Sequence, residues 1–314
     1  MANEYKQDLL DTVLRVKDQV HQTPILTSTL INTMVGAQLY FKCENFQKMG
    51  AFKMRGAVNA ISQLSAKQKE VGVVTHSSGN FAQAIALAAR NLGIKAYIVM
   101  PSNAPKVKME AVKGYGATII LSEPTNASRQ LEADRIVEEK GATFIHPSNN
   151  YNVILGQGTA AYELLKKHND LHSIITPVGG GGLIAGTSIA ANYFGNNCKT
   201  IGAEPATMDD AKRSLVAGKI QYNTSGTTVA DGLRTHLGAI NFPIIQKFVE
   251  DIFLVEEQQI IDAMKIIWQY LKIVVEPSSA VPLAAILANP AYFRNKKVGV
   301  IISGGNVDLA NLPF

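Results

Sequence analysis

Cysteine is scarce in this chain: two among 314 residues, Cys43 and Cys198, far apart in the sequence. That spacing makes neither a disulfide framework nor a metal knuckle, and it points to a reducing, cytoplasmic setting. Charge is thin as well. Charged residues make up 18%, with Lys+Arg 30 against Asp+Glu 25 for a net +5. The basic residues are scattered, which argues against nucleic acid as a partner and suits a small anionic ligand. The first residues, Met1-Ala2-Asn3-Glu4, hold no apolar run of the secretory kind. One uncharged stretch, 173–198, is long enough on paper to span a bilayer. It contains Pro177 and four consecutive glycines, so a buried strand, a turn and a buried helix explain it better than a membrane span.

What the chain does have is apolar mass. Hydrophobic residues make up 46%, ample for a large core, and the length suggests two domains. Short apolar runs recur, each followed by a turn and a helical pattern: Val71–Thr75 before 81–92, Ala96–Met100 before 106–113, Thr118–Leu121 before 128–139, and Thr143–Ile145 before a helix from about Gly158 to Lys167. Ser173–Val178, Thr200–Glu204 and Lys297–Ser303 continue the series. Strands alternating with helices predict an α/β fold of two domains with mainly parallel sheets covered by helices. The runs lack alternation, as expected where both faces are buried. The expected division is a small inserted domain, 71–148, within a larger one built from 1–70 and 149–314.

In open α/β sheets, ligands lie beyond the carboxyl ends of strands, where helix N-termini offer unpaired N–H groups. Three loops fit. His76-Ser77-Ser78-Gly79-Asn80 could hold a carboxylate or phosphate, although ordinary capping by Ser or Asn explains it equally well. Gly179-Gly180-Gly181-Gly182-Leu183 gives up much backbone entropy, which close approach to a phosphate would justify better than a mere turn. Ser303-Gly304-Gly305-Asn306 is weak by itself. The second loop also admits a rival reading. Gly180-x-Gly182-x-x-Ala185, with Glu204 ending the next strand, matches a dinucleotide fingerprint and suggests an NAD-dependent oxidoreductase. No GxxxxGK[ST] pattern is present. Lys53, in Gly50-Ala51-Phe52-Lys53-Met54-Arg55-Gly56, is an ordinary solvated lysine unless buried; pressed into an apolar site it would have a lowered pKa and could form a Schiff base.

Collected together, these segments resemble the fold-type II pyridoxal phosphate enzymes, of tryptophan synthase β-like architecture, and within them the serine racemase and serine/threonine dehydratase branch. The likeness runs through Phe41–Lys48, Gly50–Gly56, Ser77–Asn80, Gly156–Thr159, Pro177–Leu183, Ala203-Glu204-Pro205, Ala230-Asp231-Gly232, Glu276-Pro277-Ser278 and Ser303–Asp308, in that order. The resemblance implies that Lys53 carries the cofactor and acts as base, with Phe52 against its ring and Asn80 on its phenolic oxygen. It further implies that Gly179, Gly180, Gly181, Gly182 and Leu183 cradle the phosphate and that Ser303 faces the ring nitrogen. Ser77, Ser78, Gly79 and Asn80 would grip the substrate carboxylate, Ser78 serving also as acid or base on the opposite face. Glu204, Asp210 and the carbonyl of Met208 match a divalent-cation site, for which Mg2+, Ca2+ or Mn2+ would suit the oxygen ligands.

The activity so implied is an ammonia-lyase acting on L-serine and L-threonine, with serine racemisation beside it. 3-Hydroxyaspartate dehydration or aspartate racemisation is an alternative, since Arg129, on a helix at the expected entrance with Tyr115, could accept a second carboxylate. A homodimer and a nucleotide effector are implied likewise. A β-replacement enzyme and a silent amino-acid-binding protein are further rivals. Phe81 stands where many relatives carry His, Ala51 where Ser is frequent, and Ser148 where some racemases have Asn, a change expected at the hinge or an effector site. With eleven residues after Ser303, no C-terminal regulatory domain is expected.

Overall fold

The computed structural model describes residues 4–104 and 106–314. Among them the strands are β1 (Ile25–Leu26), β2 (Gln38–Cys43), β3 (Val73–His76), β4 (Ala96–Pro101), β5 (Thr118–Ser122), β6 (Thr143–Phe144), β7 (Ser173–Pro177), β8 (Lys199–Pro205), β9 (Val249–Val255) and β10 (Lys297–Ile302). They sort into a six-stranded sheet, ordered β1-β2-β10-β7-β8-β9, and a four-stranded one, ordered β5-β4-β3-β6. β1 runs antiparallel to β2 and all other pairings are parallel. Parallel neighbours need long crossovers, and helices supply them while covering the sheet faces. β7 is buried at all five positions, which is why its sequence does not alternate.

The uncharged stretch 173–198 folds as β7, a glycine turn and the helix Gly182–Phe194. No helix among the described residues is long and apolar enough to cross a membrane. The helix expected from about Gly158 begins earlier, at Tyr151, where the Asn150 side chain accepts a hydrogen bond from the Val153 amide at 3.1 Å. The glycines that resemble a break are packing positions instead. A Cβ on Gly156 would lie 2.5 Å from the Arg55 carbonyl oxygen, and one on Gly158 would lie 2.6 Å from that of Gly186. Without side chains at the crossings, Tyr151–Lys167 lies directly against the helices Lys53–Ser62 and Gly182–Phe194.

That contact fixes the start of Lys53–Ser62, and a buried charge cluster fixes it further. Arg55 is fully buried. Its Nε and Nη2 donate to Glu44 at 2.7 and 2.8 Å, and its Nη1 and Nη2 donate to Glu163 at 2.7 and 2.9 Å. Lys42 adds a bond of 2.6 Å to Glu163, and Thr23 one of 2.6 Å to Glu44. Burial alone would push the Glu44 carboxyl up, but Arg55 outweighs it and holds the group below its ordinary range. Forked guanidinium–carboxylate pairs tolerate little displacement, so the turn that presents Lys53 is held against β2 and its neighbours.

Candidate active site

The functional loops meet because of strand order. β10 lies between β2 and β7, in register Val300↔Phe41 and Val300↔Ile175. The residues that follow their carboxyl ends, Ser303 and Gly179, therefore project into one crevice. β3 brings Ser77–Asn80 to it from the smaller sheet. Together they line a cavity of about 510 Å³ that includes Phe52, Lys53, Ser77, Ser78, Gly79, Asn80, the four glycines, Leu183 and Ser303. Its size is that of a pocket for a small organic ligand.

Lys53 projects into this cavity with its Nζ donating to the Pro147 carbonyl at 2.9 Å. Phenylalanine rings flank the amine, with centroids 5.0 Å (Phe52) and 5.6 Å (Phe81) from Nζ. Burial pulls the amine down to about 8, with the Glu276 charge acting in the opposite direction. Phe81, one of the departures in the sequence, is thus a buried wall beside the amine. Ala51 forms an antiparallel bridge to Gly304, and the Phe52 amide donates to the Ser303 carbonyl at 3.0 Å, tying the lysine turn to the end of β10.

Two helix N-termini open onto the cavity without a side-chain cap. One belongs to Gly182–Phe194, whose N-cap is Gly181 in the left-handed region at φ 80°. The other belongs to Asn80–Asn91, with N-cap Gly79. Ordinary capping by Ser or Asn is therefore not what the Ser77–Asn80 loop does. The glycine turn has no room for side chains: a Cβ would lie 2.9 Å from the Gly232 carbonyl at Gly179, 2.4 Å from Ser148 Oγ at Gly180, and 2.6 Å from Leu237 Cδ2 at Gly181. Unpaired N–H groups at a glycine-lined helix start make an anion cradle. Ser148 packs against this cradle, and its carbonyl accepts from Asn241 Nδ2 at 3.2 Å.

Several groups here escape sequence reasoning. Asn80 Nδ2 donates to both carboxylate oxygens of Glu276, at 3.1 and 3.0 Å, while its Oδ1 accepts from Asn306 at 2.9 Å. Burial pushes Glu276 up to about 7, against the Asn80 hydrogen bond. Glu276 lies inside a segment that carries the resemblance, but nothing in its spacing marks it as facing a site. His146 also lines the cavity. Its Nδ1 accepts from the Ser148 and Asn149 amides at 3.1 and 2.8 Å, and burial, with His76 and Lys53 nearby, brings it down to about 4. Arg129 lines the same cavity, its guanidinium lowered from its ordinary value by burial. Tyr115 does not; it borders a shallow hollow with Arg90 and Lys95.

Glu204, Met208 and Asp210 fall outside the cavity but close to each other. Glu204 accepts from the Ala211 and Lys212 amides at 3.1 and 3.0 Å. It does not line the glycine turn, which removes the ribose-binding role of the dinucleotide reading. Burial pushes it up to about 9, with Asp210 adding to the effect. Asp210 Oδ1 accepts from Asn223 at 2.6 Å, and its buried Oδ2 lies 3.3 Å from His236 Nδ1. Among the described residues, no group of three or more His, Cys, Asp and Glu is placed to hold a metal. Two neighbouring buried carboxylates, Glu204 and Asp210, are oxygen donors of the kind a hard cation takes, with carbonyl and water oxygens to complete its shell.

A buried amine of lowered pKa, facing a glycine anion cradle across a small cavity, defines an enzyme that works through a phosphorylated aldehyde cofactor. The chain belongs to the pyridoxal-phosphate dependent enzymes, whose family profile matches residues 16–304. It is 47% identical to the serine racemase of Dictyostelium discoideum over 99% of this chain and 98% of that one. It is 46% identical to the beta-hydroxyaspartate dehydratase of Paracoccus denitrificans, covering 98% of each chain. The solved structure of maize serine racemase superposes with a TM-score of 0.95 at 46% identity, over 97% of this chain and 94% of that one. Pyridoxal phosphate, not a nicotinamide dinucleotide, is the cofactor of this family.

Proposed function

We propose that this protein deaminates small β-hydroxy amino acids, L-serine and L-threonine foremost, to the 2-oxo acid and ammonia, and interconverts serine enantiomers. The observation that carries the reading is the depressed amine of Lys53 between two uncapped helix N-termini, one for a phosphate and one for a carboxylate. Bound pyridoxal phosphate would supply delocalisation of the charge left when the Cα proton departs. The rest falls to the chain. Lys53 Nζ would hold the cofactor aldehyde and would take the Cα proton of the substrate; an amine near 8 is neutral often enough to do so. The N–H groups of Gly179 to Leu183 would fix the phosphate, with Phe52 toward the ring and Ser303 toward its nitrogen. Ser77, Ser78, Gly79 and Asn80 hold the substrate carboxylate, and Asn80 is shared with the cofactor oxygen.

Ser78 lines the same cavity as Lys53 and is the acid or base of the opposite face in this reading. Delivering its proton to Cα would invert the centre. If the β-hydroxyl leaves as water first, an enamine results, and its hydrolysis returns that water and releases ammonia with the 2-oxo acid. Segment 71–148 acts in this reading as a small domain carrying the carboxylate loop. Glu204, Asp210 and the Met208 carbonyl hold Mg2+, Ca2+ or Mn2+. Two buried free cysteines, Cys43 and Cys198, support a cytoplasmic location; a homodimer and a nucleotide effector complete the proposal. A second reading, favoured by Arg129 in the cavity wall, is 3-hydroxyaspartate as the preferred substrate.

The test is a panel of L- and D-amino acids followed by oxo-acid release and chiral analysis, with and without Mg2+. Serine and threonine should give oxo acid, and Lys53→Ala should abolish both activity and the visible cofactor band. Oxo acid from 3-hydroxyaspartate far above that from serine selects the second reading. A wild-type protein that takes up no cofactor ends both.

A further inference from the structure

Behind Ser303, away from the cavity, sits a hydroxyl that the reaction scheme above does not use. Ser279 is the third residue of the helix Pro277–Ala288 and is fully buried. Its Oγ lies 2.9 Å from Ser303 Oγ, 2.7 Å from the Gly304 carbonyl oxygen and 2.7 Å from the Gly304 amide. A hydroxyl has one proton to give and two lone pairs to accept with. In one arrangement the amide donates to Ser279 and the carbonyl accepts from it, which uses Ser279's single proton on Gly304. Ser303 is then left to donate to Ser279, which turns lone pairs toward the cavity.

The opposite arrangement is equally well supported. The Gly304 carbonyl also accepts from the Glu276 amide at 3.1 Å. If Ser279 turns its proton to Ser303 instead, that carbonyl keeps a partner, the Gly304 amide keeps its acceptor, and Ser303 is free to donate into the cavity. No buried group is orphaned in either state. We propose that Ser279 is a positioning residue that makes Ser303 reversible, able to accept from a protonated cofactor ring nitrogen or to donate to an unprotonated one. This rests on the reading above in one respect, that Ser303 faces that nitrogen.

Its consequence is specific. Alanine at 279 leaves Ser303 with no acceptor behind it. The hydroxyl then keeps its proton bonded only by pointing it at the ring nitrogen, which holds the nitrogen unprotonated. A protonated nitrogen would force a buried hydroxyl to go unpaired, so its population should fall about tenfold to a hundredfold and its titration midpoint drop by about one to two pH units. A ring that holds its proton less often is a weaker electron sink, so racemisation should lose ground to elimination.

The experiment is NMR of the holoenzyme loaded with ring-nitrogen-labelled pyridoxal phosphate, titrated with pH, for wild type, Ser279→Ala and Ser279→Cys. The expected result is a lower midpoint in Ser279→Ala, an intermediate one in Ser279→Cys, and no effect of Ser279→Ala when Ser303→Ala is already present. A midpoint equal to wild type in a variant that binds cofactor overturns the proposal while leaving the proposed activity untouched. So does a shift that persists without the Ser303 hydroxyl. Loss of folding in both variants, seen by circular dichroism, assigns Ser279 a purely structural role and overturns it too. Failure of the wild-type protein to bind cofactor brings down the underlying reading instead.

Discussion

Replacing Glu276 by Gln should stabilise the cofactor-stripped protein at neutral pH and leave it unchanged in acid. The carboxyl is buried, and burial raises it from 4.5 to about 7. An acid raised on folding binds its proton more tightly in the folded state. Between about 4.5 and 7 the unfolded chain has already released that proton, so stability falls as pH rises across this window and is flat above it. At about 1.4 kcal/mol per pH unit, the full penalty is roughly 3 kcal/mol. Glutamine keeps an oxygen for Asn80 Nδ2 and carries no charge to desolvate. Urea unfolding of both proteins at steps from pH 4.5 to 7.5 measures this directly. The wild-type and variant curves should meet at the acid end and separate by roughly 3 kcal/mol at the top. Staying below pH 7.5 keeps the lysine amine, lowered to about 8, from contributing its own slope. Parallel curves across the window would refute the reasoning, because they would mean that Glu276 is solvated or is ionised at no cost.

Gly181→Ala should lose about 1–2 kcal/mol to its left-handed backbone alone and more to the contact with Leu237. Thermal melting and retention of cofactor through a desalting column should both fall; an unchanged melting temperature would mean that the turn relaxes freely. Glu44→Gln leaves Arg55 without its fully buried carboxylate and with only the half-buried Glu163, and should cost about 3–5 kcal/mol in urea unfolding. The same change should slow cofactor capture, because the turn presenting Lys53 loses its anchor; loss of stability with unaltered capture would separate the two effects.

Much of this architecture is written in local pattern. The apolar runs at 73–76, 96–101 and 173–177 become parallel strands because burial on both faces leaves no alternation to preserve. The glycine turn is legible because four glycines in a row have few other uses. The early start of Tyr151–Lys167 is not, because Gly156 and Gly158 look like breakers until the helices that press on them are known. Glu276 escapes for a similar reason: its chemistry arises from Asn80, 196 residues away in sequence. The expectation for Ser148 also changes with tertiary context, since it lies against the glycine cradle. Lys53 had no claim on attention by composition; two aromatic rings and a cavity make its amine unusual.

The position of β10 has a consequence for how the protein is made. This strand, the last in chain order among those described, is an interior member of the larger sheet, wedged between β2 and β7. Until it emerges, a nascent chain carries two incomplete half-sheets with bare hydrogen-bonding rims facing each other, the kind of edge that recruits unwanted strands. The bridge from Ala51 to Gly304 cannot form before then either, so the lysine turn waits on β10 for its last tether.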